Sequence, residues 1–324
     1  MILRRRTLVS KGFVHKRRNA IQAFGRDLRA NRVYLILLLP VVVYVLVFSY
    51  APMVGVLMAF EKYNFAKGLF GSPWVGFNNF KFLTVSNKLW PLTRNTLLYN
   101  LAFIVVGMVM EVGFAIIINE MRCRWFKKLF QSFIFLPYFI SWVIAAAVVQ
   151  TMLDYDNGLI SRMLKSLGVP MINVYIDTRP WPFLLVFFRM WKGVGYGSII
   201  YLSAITGIDS EMYEAAEIDG ANSWQKVYRI TLPNLVPTMV VLFLLACGQI
   251  FRGDFGMFYQ LIGNNGVLLE VGDILDLYIY RAMAGTGNLG FGAAAGLFQS
   301  ILCFVTILLA NFVVKKIQPD YTLF

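Results

Sequence analysis

Apolar residues in this chain come in long runs rather than in the short alternations of a soluble fold. Six stretches each hold about 20 mainly apolar residues, the length a helix needs to cross a bilayer. They run roughly from Val33 to Ala59, Thr96 to Ile118, Ser132 to Leu153, Pro182 to Thr206, Asn234 to Phe251 and Leu289 to Val314. The pattern predicts an all-α integral membrane protein with six transmembrane helices. It divides the chain into a tail at 1–32, a six-span domain at 33–314 and a short tail at 315–324. The first run follows a 32-residue tail and is too long for the apolar region of a signal peptide, so it is expected to remain as a span. In the basic tail, Ile21, Phe24 and Leu28 recur at helical spacing. That segment is read as an interfacial helix on the inner membrane surface or as a solvated tail that only fixes topology.

Composition agrees with the pattern. Of 324 residues, 58% are hydrophobic and 15% charged, and the mean hydropathy is +0.64. A soluble domain is about 45–50% apolar and about 25% charged. The net charge of +13 would by itself point to nucleic acid or an anionic surface. Its distribution says otherwise. Residues 1–32 hold ten Lys/Arg, 119–131 hold four, and 207–233 and 315–324 hold two each. The longer connections at 60–95, 154–181 and 252–288 hold five, three and two. By the positive-inside rule both termini are cytoplasmic and the three longer loops face outward. The basicity is a topology signal, and no nucleic-acid partner is expected.

Several chemistries have nothing to build from. Cys123, Cys247 and Cys303 lie far apart, which excludes a disulfide scaffold and a Cys-rich zinc site. The single histidine, His15, sits in the basic tail, so no metal centre or Ser-His-Asp triad is expected. The run Gly285-Thr-Gly287-Asn-Leu-Gly290 fits a dinucleotide fingerprint in letters only. It follows no strand and opens a membrane helix, so it is read as a turn at the helix start. Gly292-Ala-Ala-Ala-Gly296 is read as a small-residue packing face for a neighbouring helix.

The connection at 207–233 breaks the basic pattern. Asp209, Glu211, Glu214, Glu217 and Asp219 stand there against Lys226 and Arg229. Asp209 is placed to cap a short helix whose first turns carry acids, where the helix dipole favours them. Gly220 supplies a residue that leaves the helix with positive φ. Asn222 and Gln225 have capping-box spacing for a second short helix, which Leu232-Pro233 is expected to end. The result is a helix–turn–helix elbow. Ala215, Ala216 and Gly220 leave one surface flat enough for another protein, and Tyr213, Trp224 and Tyr228 are candidate anchors.

The elbow also carries a resemblance. Glu214-Ala215-Ala216, three residues, Gly220, nine residues, then Ile230-x-Leu232-Pro233 is similar to the EAA signature of ABC-importer permeases. The surrounding text resembles the carbohydrate branch of that family, and most of all the permease of a bacterial alginate importer. The resemblance covers roughly residues 30–320 and implies the type I importer permease fold with a cytoplasmic coupling helix. It further implies a multi-pass protein of the bacterial inner membrane that works beside a second permease subunit, two ATPase subunits and a periplasmic solute-binding protein. Oligosaccharide would be the cargo. Glu214, Ala215, Ala216, Asp219 and Gly220, with Tyr213 and Trp224, would couple the chain to its ATPase. The chain itself would be no enzyme and would bind no cofactor, ATP and Mg belonging to the partner subunits. The sequence agrees with that division, because it holds no Gly-x4-Gly-Lys-Ser/Thr phosphate loop.

Charges inside a span cost at least about 2.5–3.5 kcal/mol each, so they tend to face a cavity or a partner. The fourth run carries Arg189 and Lys192 together with Trp191, Tyr196 and Tyr201. Arg189, Lys192 and Tyr196 share a helix face by spacing. With Gln249 they are the candidate substrate pathway, since Arg pairs with carboxylates and aromatic rings offer flat faces to sugars. Gln150, Arg252, Asp254 and Gln299, polar residues near span ends, are read either as joining that path or as interhelical hydrogen bonds and interface caps. Snorkelling to the interface, or pairing with Glu111, is the competing explanation for the two cations. A secondary transporter is the alternative class. It would lead one to expect internal repeats, which are not apparent, and would leave the elbow unexplained.

Overall fold

The computed structural model describes residues 30–81, 89–169 and 172–322. The described chain is helical, with an isolated bridge between Glu61 and Trp74. It divides into two units, residues 1–58 and 59–324.

The described part of the first unit is nearly all of helix α1, Arg32–Phe60. Pro40 sits inside it, and its last third tightens into a 3-10 turn from Ala51 to Phe60. None of its apolar window is buried. A helix that is apolar all round and unburied reads as facing lipid or other membrane helices.

In the second unit the longest elements are α2, Leu89–Glu120; α6, Trp181–Thr206; α8, Ser223–Cys247; and α11, Leu289–Ile317. Helices α2 and α6 form the central pair. At one end of that pair, Val112, Ala115 and Ile118 of α2 pack on Tyr201, Leu202 and Ile205 of α6 and Leu235 of α8. At the other, Tyr99 and Phe103 join Trp181, Leu185 and Met190. The second cluster also draws in α4, Trp142–Leu153; α9, Phe255–Leu261; and α10, Leu275–Thr286. The 252–288 connection is therefore no open loop, since Met257, Phe258, Leu268, Ile274 and Leu277 are fully buried. A shorter helix, α5, Leu159–Ser166, occupies part of 154–181.

Close packing of α6 depends on two missing side chains. A Cβ at Gly195 would collide with the backbone carbonyl of Ile134 on α3, Arg124–Phe135. A Cβ at Gly197 would collide with the Glu111 carboxylate of α2. The Gly292–Gly296 face is used in part: Gly292 packs on Met283 of α10, while Gly296 has nothing within 4 Å. Gly287 ends α10 with φ +64°, and Asn288 caps α11, so the glycine fingerprint is a turn between two helices.

Three expectations need correction. The third span is not one helix over 132–153. It comprises α3 with a 3-10 turn to Phe139, then α4, at a bend of 99°. Pro137 removes one backbone donor, Ile140 is extended, and the Ser141 side chain accepts from Ile144 N to start a new helix. A run of apolar letters cannot show such a break. The second elbow helix, in turn, does not end at Leu232-Pro233. It continues as α8 because a π turn over Val227–Thr231 shifts the hydrogen-bond register just before Pro233. Finally, α8 stops at Cys247, and 248–251, expected to belong to span five, is irregular together with the three residues that follow. The interfacial reading of the tail falls almost wholly on residues outside those described.

Candidate functional sites

The elbow is built by local chemistry. Asp209 accepts from Glu211 N at 3.0 Å and caps α7, Ser210–Ile218. Gly220 has φ +77°, a conformation that side chains with a Cβ adopt at a cost. Asn222 and Gln225 then close a reciprocal capping box, at 2.9 Å and 2.8 Å, and start α8. Lys226 Nζ reaches the Glu217 carboxylate at 2.6 Å, tying the two helices across the turn. That hydrogen bond holds the Glu217 carboxyl below its ordinary range, with the charge of Arg122 adding to it.

Glu214, Ala215, Asp219 and Gly220 are exposed, and Ala216 is half-buried. Trp224 is 82% exposed and Ile218 86%. Such rings and branched chains lie open beside the polar rim, which fits a protein interface. Trp224 also borders a groove with Ile116, Ile117 and Val227. Tyr213 is different: its hydroxyl pairs with Thr231 Oγ1 at 3.0 Å, so it braces α7 against α8.

The second site is assembled from distant segments. A cavity of about 310 Å³ opens between α2, α6, α8 and the irregular stretch after α8. Asn100, Gly107 and Glu111 line it from α2, and Arg189 and Tyr201 from α6. Gln249 and Arg252 line it from the connector. Arg252 Nη2 also lies 3.4 Å from Ser300 Oγ on α11. Three of the six expected pathway residues, Arg189, Tyr201 and Gln249, thus converge on one space.

The other three point elsewhere. Lys192 Nζ donates to the Tyr138 carbonyl at 2.8 Å and lies over the Tyr138 and Trp142 rings. Tyr196 stacks on Tyr138 with centroids 4.6 Å apart. Both therefore brace the break in the third span. Trp191 lines an apolar hollow between α2, α3 and α6 with Phe187 and Phe133. Shared spacing on α6 did not separate these directions, because the neighbours decide which way each long side chain turns.

Residues outside the expected set complete the cavity. Asn100, Gly107 and Glu111 form a polar and small stripe at helical spacing on span two, the signal that would have exposed them. Beside the cavity, Asp254 Oδ2 lies 3.9 Å from Arg189 Nε and accepts from Trp142 Nε1 at 3.1 Å. Asp276 Oδ2 accepts from Gly253 N at 2.7 Å and from Gln299 Nε2 at 3.2 Å, which pins the connector to α10 and α11. Burial raises the Asp276 carboxyl above its ordinary range against those two bonds. Among the described residues no group of three or more His, Cys, Asp or Glu is placed to hold a metal ion. The site sets two cations, the Glu111 carboxylate, amides and rings around an open space, suited to binding a polar solute.

Residues 104–319 match the family model described as binding-protein-dependent transport system inner membrane component. Protein LplB of Bacillus subtilis is 32% identical over 293 residues, covering 90% of this chain and 92% of that protein. The polygalacturonan/rhamnogalacturonan transport system permease protein YteP of the same organism is 34% identical over 285 residues, covering 88% of each. Among the solved structures that match are two alginate transporters. One is a bacterial alginate ABC transporter in complex with an alginate pentasaccharide-bound periplasmic protein, with a TM-score of 0.80, 32% identity and coverage of 90% and 97%. The other is a bacterial ABC transporter that imports the acidic polysaccharide alginate, with a TM-score of 0.81, 32% identity and coverage of 90% and 98%.

Proposed function

Because this chain belongs to the binding-protein-dependent transport system inner membrane components, we propose that it carries an acidic oligosaccharide through the cavity at Arg189. It is a transport subunit of an ABC importer, not an enzyme. It pairs with a second permease, with ATPase subunits and with a periplasmic binding protein. In this reading two ATPase subunits hold ATP and Mg, and both termini of the chain lie in the cytoplasm. The elbow at 207–233 seats on one ATPase through Glu214, Ala215, Ala216, Asp219, Gly220 and Trp224. Tyr213 keeps that elbow stiff. Nucleotide binding and hydrolysis then rock the spans between two states around a site near the middle of the membrane.

One observation carries the cargo assignment: Arg189, Arg252, Asn100, Gln249 and Tyr201 line a single cavity within the bundle. Two guanidinium groups suit carboxylates, and the amides and ring suit hydroxyls and pyranose faces. Relatives named for pectic and alginate polysaccharides support an acidic sugar. The test is uptake by the complete importer in proteoliposomes. Arg189→Glu with Arg252→Glu is expected to cut transport of an oligouronate at least tenfold while assembly persists. Undiminished uptake by an assembled double variant would overturn the reading.

A further inference from the structure

Arg189 does not stand alone beside its cavity, and the group that answers it is built in an unusual way for an ion pair. Asp254 presents both carboxylate oxygens to other donors. Oδ1 accepts from Met257 N at 3.1 Å, capping α9, and Oδ2 accepts from Trp142 Nε1 at 3.1 Å. The Arg189 guanidinium comes only to 3.9 Å of Oδ2, beyond hydrogen-bond distance. Asp254 is therefore fixed at two points, while Arg189, with a side chain 40% exposed, is the partner free to turn. No other acid lies within ion-pair distance of Arg189 among the described residues. Glu111 lines the same cavity, beyond ion-pair distance of the guanidinium but within reach of its charge.

Resting on the acidic-cargo reading, we propose that Asp254 is an exchangeable counter-ion, from which Arg189 swings to a cargo carboxylate and to which it returns on release. The exchange follows from geometry. A carboxylate on the cargo offers two charge-assisted bonds of about 2.7–2.9 Å, against a loose pair whose acceptor oxygens are already occupied. When the cargo leaves, Asp254 offers the guanidinium a fixed charge to return to. A pathway residue must bind weakly enough to let go, and the counter-ion supplies the competition that keeps binding weak. Asp254 is thus a positioning residue that acts through Arg189. It makes no contact with cargo.

The test compares an oligouronate with its carboxyl-reduced, neutral analogue. Binding to the purified complete importer is measured by titration calorimetry, and uptake is followed in proteoliposomes. Asp254→Asn is expected to lower the Kd for the acidic cargo about three- to fivefold, the size of effect a partly exposed charge pair exerts. Its maximal uptake of the acidic cargo falls as release slows, and its handling of the neutral analogue stays as in the wild type. Weaker acidic binding, or equal changes for both cargoes, would overturn the proposal and leave Asp254 a structural cap. Should Asp254→Asn fail to assemble, Asp254→Glu decides instead. Its longer arm closes the gap to Arg189, so the acidic Kd must rise while the neutral one holds, and an unchanged or lower acidic Kd overturns the proposal. A wild type that does not distinguish the two cargoes overturns the acidic-cargo reading itself.

Discussion

The elbow and the cavity both concentrate polar chemistry in an apolar chain, and they do it by opposite means. The elbow takes about twenty consecutive residues and closes each turn with its own neighbours: Asp209 on Glu211, Asn222 on Gln225, Lys226 on Glu217. Its outer surface stays open, with Trp224 and Ile218 standing in solvent. The cavity draws on α2, α6, α8 and a connector, from Asn100 to Arg252 in the chain, and it exists only where they pack. One site is open on its outer face, and the other is walled by packed helices. A surface made to receive a partner must be shaped before the partner arrives. A pathway must be held by the walls that also move.

The rigid half of the comparison is the helix packing that holds α6 in place, and a single added methyl group tests it. In Gly195→Ala the new Cβ meets a backbone carbonyl of α3, which cannot yield without parting α3 from α6. Overpacking of this kind costs about 1–3 kcal/mol. Thermal unfolding of the purified importer should shift down by several degrees. An unchanged midpoint would mean that the α3–α6 contact is looser than its geometry and would weaken the rigid half of the comparison.

On the open side, truncating Trp224 removes a ring that is 82% exposed at the edge of a surface groove. Trp224→Ala is expected to leave thermal stability unchanged and to weaken retention of the ATPase subunits by about 2 kcal/mol, roughly thirtyfold. Titrating purified ATPase onto permease complexes in detergent measures it. Loss of stability with normal ATPase binding would reverse the roles given to the two regions.

Gly220→Ala lies between these two. Nothing stands within 4 Å of the added Cβ, so only the backbone at φ +77° objects. Its cost is about 1–2 kcal/mol, paid within the elbow alone. ATP-coupled uptake should fall while cargo binding to the cavity is untouched. A change in cargo binding would show that the two regions are not separable.

How much could be read from the letters follows the same division. Caps, turn glycine and capping box at the elbow are short-range rules, and each reappears in the structure at the residue expected. Five of the six apolar runs became single long helices for the same reason of local pattern. The break at Pro137–Ser141 was not legible, because apolar composition reports the solvent and not the direction of the helix axis. Neither was the split between Arg189 and Lys192. Both lie on α6 three residues apart, yet one turns to Asp254 and the cavity and the other to the Tyr138 carbonyl. That choice belongs to α3, α4 and α9, which no spacing on α6 encodes.

The smallest expected effect concerns the Glu217–Lys226 ion pair of the elbow. Glu217 is 63% exposed and Lys226 16%, so the pair is largely open to screening by water and salt. Its sign is still determined. The Lys226 hydrogen bond depresses the Glu217 carboxyl in the folded elbow. A depressed carboxylate contributes its full stability above the unfolded value of about 4.3 and loses it as pH falls through the folded value. The elbow should therefore be insensitive to pH between 8 and 5 and loosen only in the acid range below. Hydrogen exchange at Gly220 and Ala221, compared at each pH with Glu217→Gln, isolates this pair from the intrinsic pH dependence of exchange. The two proteins should differ slightly at neutral pH and converge on acidification. Convergence already near pH 6 would mean that another group closes the turn, and that the elbow is less self-contained than its capping residues make it.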